Sequence, residues 1–205
     1  MIGMKERFEY CLDLSQTGAR QQEVLPVEFE LRRLSAFDHE DLSELMIDAY
    51  RGTLDDDGGS LWMAREEVSR FYQGVYGAPL VNCSWLCFRK EDLVFRKNET
   101  GERDFSSEIP LAACLSTWWG PKNAPLIAFA MTRKEWKRRR LGSLVLDEAL
   151  NSLRRRQIKS VWAVITSGNL PSERLFRRFG FEQFVPRMPA AHKRDDSSRL
   201  LFPPP

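Results

Sequence analysis

The chain has 205 residues, with 31 Lys and Arg against 29 Asp and Glu, so its formal net charge is only +2. That length suits one domain with a sizeable core, and the near-balance of charge argues against a dedicated nucleic-acid binder, which shows a strongly basic domain. Arg-rich stretches at 138–140, 154–156 and 177–178 are local, and no run approaches the roughly 20 apolar residues of a membrane span. Met1-Ile-Gly-Met-Lys-Glu-Arg7 lacks the apolar core of a secretion signal. Two histidines and no paired-Cys spacing give no zinc pattern. A cytoplasmic protein with reduced thiols and no metal is expected.

Residues 1–25 are mixed and polar, and Phe8 to Leu14 reads either as an extra strand or as part of an arm. Val27 to Leu34 alternates apolar and charged residues, the period of a half-buried strand. Asp38 is placed to cap the helix that follows, whose buried stripe is Leu42, Leu45, Met46 and Ala49, with His39 exposed in its first turn. Glycines and Asp55, Asp56 and Asp57 then break the pattern into a loop up to Gly59. Trp62 to Gln73 reads as a second helix with Val68, Phe71 and Tyr72 turned inward. Val81 to Phe88 reads as a strand with Cys83, Trp85 and Cys87 on one face. Four strand steps span about 13 Å and a disulfide needs Cα atoms within roughly 7 Å, so Cys83 and Cys87 do not pair along it. Lys90 to Ser107 reads as a long hairpin connection, and Ile109 to Trp119 as the next strand, with Trp118 and Trp119 near its end as pocket-lining or packing residues.

Leu126-Ile-Ala-Phe-Ala-Met131 is an apolar run of strand length. From Leu141, apolar residues recur at helical spacing (Leu141, Val145, Leu146, Ala149, Leu150, Leu153), with Asp147, Asn151, Arg154 and Arg155 on the other face. Between them lies Lys137-Arg-Arg-Arg140. The order is strand, basic turn, helix. The first amides of a helix lack intrahelical acceptors, the macrodipole makes that end positive, and Gly142 permits close backbone approach. Together they suit a pyrophosphate or similar anion. A further strand, Val161 to Ile165, leads into Asn169-Leu-Pro-Ser-Glu-Arg-Leu-Phe176-Arg-Arg-Phe-Gly180-Phe181. Residues from 186 begin strand-like and end at Pro203-Pro-Pro205 as a frayed tail.

Lys137-Arg-Arg-Arg-Leu-Gly142 resembles the R/Q-x-x-G-x-G/A signature of the GNAT superfamily of acetyl-CoA-dependent N-acetyltransferases. It departs from that pattern at Lys137, which stands at the R/Q position, and at Arg140, which stands at the first Gly. The 169–181 block is similar to that family's N-x-x-A-x-x-L-Y-x-x-x-G-F, matching at Asn169, Ser172, Leu175, Phe176, Gly180 and Phe181. The resemblance implies an α/β (α+β) fold: a mixed central sheet of six to seven strands flanked by about four helices. The domain would span 26–188, after the 1–25 arm or strand and before the 189–205 tail. It also implies acetyl-CoA as cosubstrate and a small-molecule or peptide amine as acceptor, with no nucleic acid, no membrane, and a homodimer left open.

By the same resemblance, Ala130, Met131 and Thr132 would bond the acetyl carbonyl and pantetheine. Lys137, Arg138, Arg139, Arg140, Leu141, Gly142 and Ser143 would hold the pyrophosphate, with Asn169 and Phe176 beside the pantetheine arm. The segment between the first two helices would lie over the acceptor, where its aspartates either attract an amine or form a solvated turn. The usual acid and base do not carry over: Phe176 stands where many members have Tyr, and Val164 where others have Glu. Three alternatives remain. Tyr50 or Asp55 supplies a base, proximity suffices with water taking the proton, or the domain binds acetyl-CoA without turning it over. If the Arg140 position is left-handed, arginine costs about 1–2 kcal/mol there.

Overall fold

A computed structural model describes residues 5–16, 23–92, 95–97, 103–105 and 110–186. The C-terminal tail, the start of the expected strand at Ile109 and part of the 90–107 connection lie outside these. In chain order the elements are β1 (Arg7–Asp13), β2 (Phe29–Arg33), α1 (His39–Tyr50), α2 (Leu61–Tyr72), β3 (Ala78–Pro79), β4 (Trp85–Arg89), β5 (Phe95–Lys97), β6 (Arg103–Phe105), β7 (Ala112–Trp119), β8 (Ala124–Thr132), α3 (Leu141–Arg155), β9 (Ser160–Thr166), α4 (Leu170–Arg178) and β10 (Glu182–Gln183). Eight strands form one sheet in the order β10-β1-β9-β8-β7-β4-β2, with β3 added beside β7; β5 and β6 pair separately. The sheet is antiparallel except where β8 runs parallel to β9. It is mixed, as expected, and exceeds seven strands because the two-residue β3 and β10 join its margins.

Phe8 to Leu14 resolves as a strand: β1 pairs with β9 along its whole length, from Arg7↔Thr166 to Asp13↔Ser160. The helices divide the core in two. Leu141, Leu144, Val145 and Leu150 of α3 pack with Phe176, Phe179, Phe181, Cys87 and Cys114 on one face. Leu42, Leu45 and Met46 of α1 pack with Val68 and Phe71 of α2, Leu115 and Met131 on the other. Each helix buries the stripe its periodicity predicts. The four cysteines are free.

Several local expectations are corrected. β2 begins at Phe29 rather than Val27, whose side chain is exposed. Cys83 lies in a 3-10 turn before β4, yet it still packs in the same core cluster as Cys87 and Trp85. His39 is half-buried and meets Ser69 Oγ through Nε2 at 2.8 Å. Asp147, expected on the polar face of α3, is 4% exposed because the chain at residue 23 crosses it and Glu23 N donates to its Oδ2 at 3.1 Å. Trp118 and Trp119 pair with Pro125 and Ala124 at the start of β8. Seven and eight strand steps, roughly 23 and 26 Å, separate these partners from Thr132. There Trp119 packs edge-on against Trp162, and Lys122 lies 4.3 Å from the Trp162 ring centre.

Asp38 makes no side-chain cap on α1. Its carboxylate instead accepts from Arg32 Nη1 at 2.9 Å and Nη2 at 2.6 Å, and from Ser35 N at 2.6 Å. Its side chain is 5% exposed, so removing it strands a guanidinium and an amide in a nearly dry site. Asp38→Ala is expected to lower unfolding free energy by about 3 kcal/mol, measured by urea denaturation; a loss below about 1 kcal/mol would mean that Arg32 regains water freely.

Candidate active site

The sheet opens at its centre. β8 and β9 pair only at Leu126↔Trp162 and Ile127↔Ala163. Beyond that both continue, β8 to Thr132 along β7 and β9 to Thr166 along β1, but not along each other. A bulge marks the parting: Leu115 faces Phe129 and Ser116 faces Ile127, leaving Ala128 as the extra residue on β8. One extra residue bends its strand and breaks the ladder. The backbone from Ala128 to Thr132 therefore presents an unpaired edge toward a slot, where an extended ligand can bond to it as a strand would. Ala130 packs with the α3 side of the core and Met131 with the α1 side.

At the end of β8 three elements converge. A Cβ built on Gly142 would lie 3.0 Å from Thr132 Oγ1 and 3.8 Å from Leu175 Cδ2, so α3 starts close against the strand end and a side chain here would press on the threonine hydroxyl. α2 and α4 are capped by side chains, Ser60 onto Met63 N and Asn169 onto Ser172 N. α3 has no such cap. Leu144 N is the first of its amides to close a turn, onto Arg140 O at 3.0 Å, and the amides of Leu141, Gly142 and Ser143 find no acceptor among the described residues. These are donors aimed outward at the positive end of a helix dipole.

The basic loop is strained. Arg138 and Arg140 both have positive φ, 67° and 64°, which settles the left-handed alternative for Arg140. Such residues turn successive amides toward one hollow. Their side chains do not all face it. Lys137 donates from Nζ to the Ala49 carbonyl in the last turn of α1 at 2.7 Å, and burial pulls its pKa below the usual lysine range. Arg139 lies over the Trp136 ring, 4.6 Å from its centre. Arg140 stands 3.8 Å from Glu23, which also pairs with Arg178 of α4. Arg138 is exposed. Asp48 accepts from Lys134 N at 2.7 Å, so α1 holds the loop at two points. A separate hollow of about 410 Å³ lies beneath residues 23–25, lined by Leu31, Trp85, Leu144 and Asp147.

Asn169 is engaged at both ends of its amide: Oδ1 accepts from Ser172 N at 3.2 Å, and Nδ2 donates to Asp55 Oδ2 at 2.6 Å. Asp55 thus ties the loop after α1 to the start of α4. Phe176 is 4% exposed and stacks edge-on with Phe181 at 5.0 Å. Val164 is 38% exposed, opposite Glu9 of β1. Burial first, then the carboxylates of Asp55 and Glu67, push the Tyr50 phenol far above its usual range, which disfavours it as a base. Two groups missed in the sequence stand nearby. Tyr76 donates from its hydroxyl to Glu67 Oε1, and its ring meets Phe129, beside the bulge, edge-on at 5.6 Å. Nothing in periodicity marks that pair, because the turn after α2 brings it together.

Residues 30–181 match the model of the acetyltransferase (GNAT) family. A search of curated proteins finds no match. Among solved structures, a GCN5-related N-acetyltransferase from Sphaerobacter thermophilus aligns with TM-score 0.58 and 14% identity over 87% of this chain, which spans about half of that protein, 48%. The ribosomal-protein-S18-alanine N-acetyltransferase of Escherichia coli aligns at 0.53 and 11%, over 77% of this chain and 79% of its own. The paiA N-acetyltransferase of Thermoplasma acidophilum, solved with coenzyme A, aligns at 0.53 and 14%, over 75% and 89%. At these identities the likeness is one of fold.

Glycine adopts positive φ without the steric cost that a side chain brings. Arg140→Gly is therefore expected to raise stability by about 1 kcal/mol, since the ion pair it removes is long, at 3.8 Å, with its guanidinium in solvent and a second arginine left on Glu23. A thermal melt that falls instead of rising would show that Arg140 contributes more through Glu23 than its backbone costs.

Proposed function

Because the chain belongs to the GNAT acetyltransferase family, we propose that it moves an acetyl group from acetyl-CoA to an amine. The reading rests on one observation: an uncapped helix N-terminus, α3, set against Thr132 at the end of the β8 segment that continues unpaired after the strand leaves β9 at Ile127. In this reading the amides of Leu141 to Ser143, with the loop from Arg138 to Arg140, hold the pyrophosphate. The main chain of Ala130, Met131 and Thr132 bonds the pantetheine and the acetyl carbonyl, with Asn169 and Phe176 flanking the arm.

The chemistry then sets two needs. The thioester oxygen gains negative charge and requires donors that are already aimed, which the unpaired β8 edge can provide at no cost of reorganisation. The amine must lose a proton before attack. Neither Val164 nor Phe176 can move one, so the group responsible lies elsewhere. We place the reaction in the cytoplasm, in keeping with four free thiols.

A second reading, acetyl-CoA binding without turnover, is favoured by those same apolar residues at positions 164 and 176. Release of free thiol from acetyl-CoA with a panel of amines separates the two: turnover with any amine supports the transferase, whereas micromolar binding with none supports the binding module. Gly142→Glu sets a carboxylate against Thr132 Oγ1 and the pyrophosphate. It is expected to weaken acetyl-CoA binding at least 100-fold by calorimetry, and unchanged affinity would remove the loop assignment.

A further inference from the structure

The transferase reading lacks a proton acceptor, and the pair formed by Tyr76 and Glu67 answers that lack. Gly74 and Gly77, at φ 79° and 104°, turn the chain back after α2. A Cβ at Gly77 would lie 2.0 Å from the Trp118 carbonyl oxygen, so this turn is fixed against β7. It returns the Tyr76 ring to Phe129, in the open half of β8, and places its hydroxyl on Glu67. Since that O–H is directed at the carboxylate, the lone pairs of the phenol oxygen are what it presents to other groups. Burial and Glu67 push the phenol up to about 12, so it stays neutral at physiological pH.

We propose that Tyr76 and Glu67 form a proton relay for the acceptor, which is a protonated primary amine. The inference rests on the transferase reading. The ammonium N–H bonds to the Tyr76 oxygen. As that proton passes to the phenol oxygen, the Tyr76 proton passes to Glu67 Oε1. One N–H bond breaks and one O–H bond forms on the carboxylate, leaving a neutral amine, an unchanged tyrosine and a protonated Glu67. The freed lone pair attacks the thioester carbonyl. When the C–S bond breaks, the second amine proton ends on the departing thiolate, and Glu67 returns its proton to solvent.

The charged and titratable surroundings are defined. Arg70, on the same helix, is 3.8 Å from Glu67 and lies over the Tyr76 ring at 5.7 Å. Arg7 of β1 acts on both Tyr50 and Tyr76, and Asp55 acts on Tyr50 from the loop after α1. Glu67 therefore faces Arg70 and both phenols.

The test compares wild type with Glu67→Gln, Tyr76→Phe, Glu67→Asp and the double variant. The probes are acetyl-CoA with benzylamine, butylamine and a peptide with a free alanine N-terminus, followed by thiol release from pH 6 to 9.5. Glu67→Gln and Tyr76→Phe are each expected to lower kcat about 100- to 1,000-fold. The double variant should be no slower than either single one, because one relay is broken only once. The residual rate should rise about tenfold per pH unit below the pKa of each amine and level off above it, near pH 8 for the peptide N-terminus. Glu67→Asp should recover part of the loss, and acetyl-CoA affinity and melting temperature should hold in all variants. A kcat for Glu67→Gln within threefold of wild type, multiplicative losses in the double variant, or a loss explained by weakened acetyl-CoA binding or melting overturns the relay alone. A wild type that binds acetyl-CoA and acetylates none of the amines overturns the transferase reading and the relay with it.

Discussion

The constraint from which the rest follows is the parting of two central strands. A sheet normally satisfies every backbone donor and acceptor of its inner strands, and leaving such groups unpaired away from water is costly. Here β8 and β9 give up their pairing after Ile127↔Ala163. The bulge at Ala128 makes the separation a matter of strand geometry rather than of fraying. Full pairing on their outer sides, to β7 and to β1, holds each strand in place while the gap stays open. A stretch of unpaired main chain results, and its geometry does not depend on which side chains line it.

The neighbouring elements converge on that gap from different parts of the sequence. α3 comes in close, with Gly142 leaving room beside Thr132 Oγ1. α1 reaches across to hold the basic loop through Asp48 and the Ala49 carbonyl. The loop that follows α1 is latched to α4 through Asp55 and Asn169. Positive φ at Arg138 and Arg140 stores strain, which persists only where surrounding contacts over-determine the backbone. Trp136 under Arg139 and the Ala49 carbonyl on Lys137 are two such contacts.

Much of this was legible in the residues. The apolar run of β8, the stripe of α3 and the 169–181 block announce strand–loop–helix twice, because period and capping act locally. Long-range contacts were not legible. Asp147 reads as a polar-face residue until the chain at Glu23 crosses it. Lys137 reads as one of four equivalent cations until Ala49 is seen to claim its ammonium. Trp119 reads as a pocket-lining or packing residue until antiparallel pairing sets it beside Ala124, at the end of β7 away from Thr132 and against Trp162. Glu67 sits at the border of a helix face, and only the double-glycine turn gives it Tyr76.

Glu23 carries a consequence of its own. Seated against Arg140 and Arg178 with its main chain on Asp147, it supplies the basic loop with a resident counter-ion. In the proposed reading, an incoming nucleotide does not meet a bare concentration of cations: it trades places with, or sits alongside, a carboxylate already there. Attraction from afar is muted, and discrimination falls to the short-range fit of phosphate oxygens among the amides, so adding salt should matter less than the arginine content of the loop suggests.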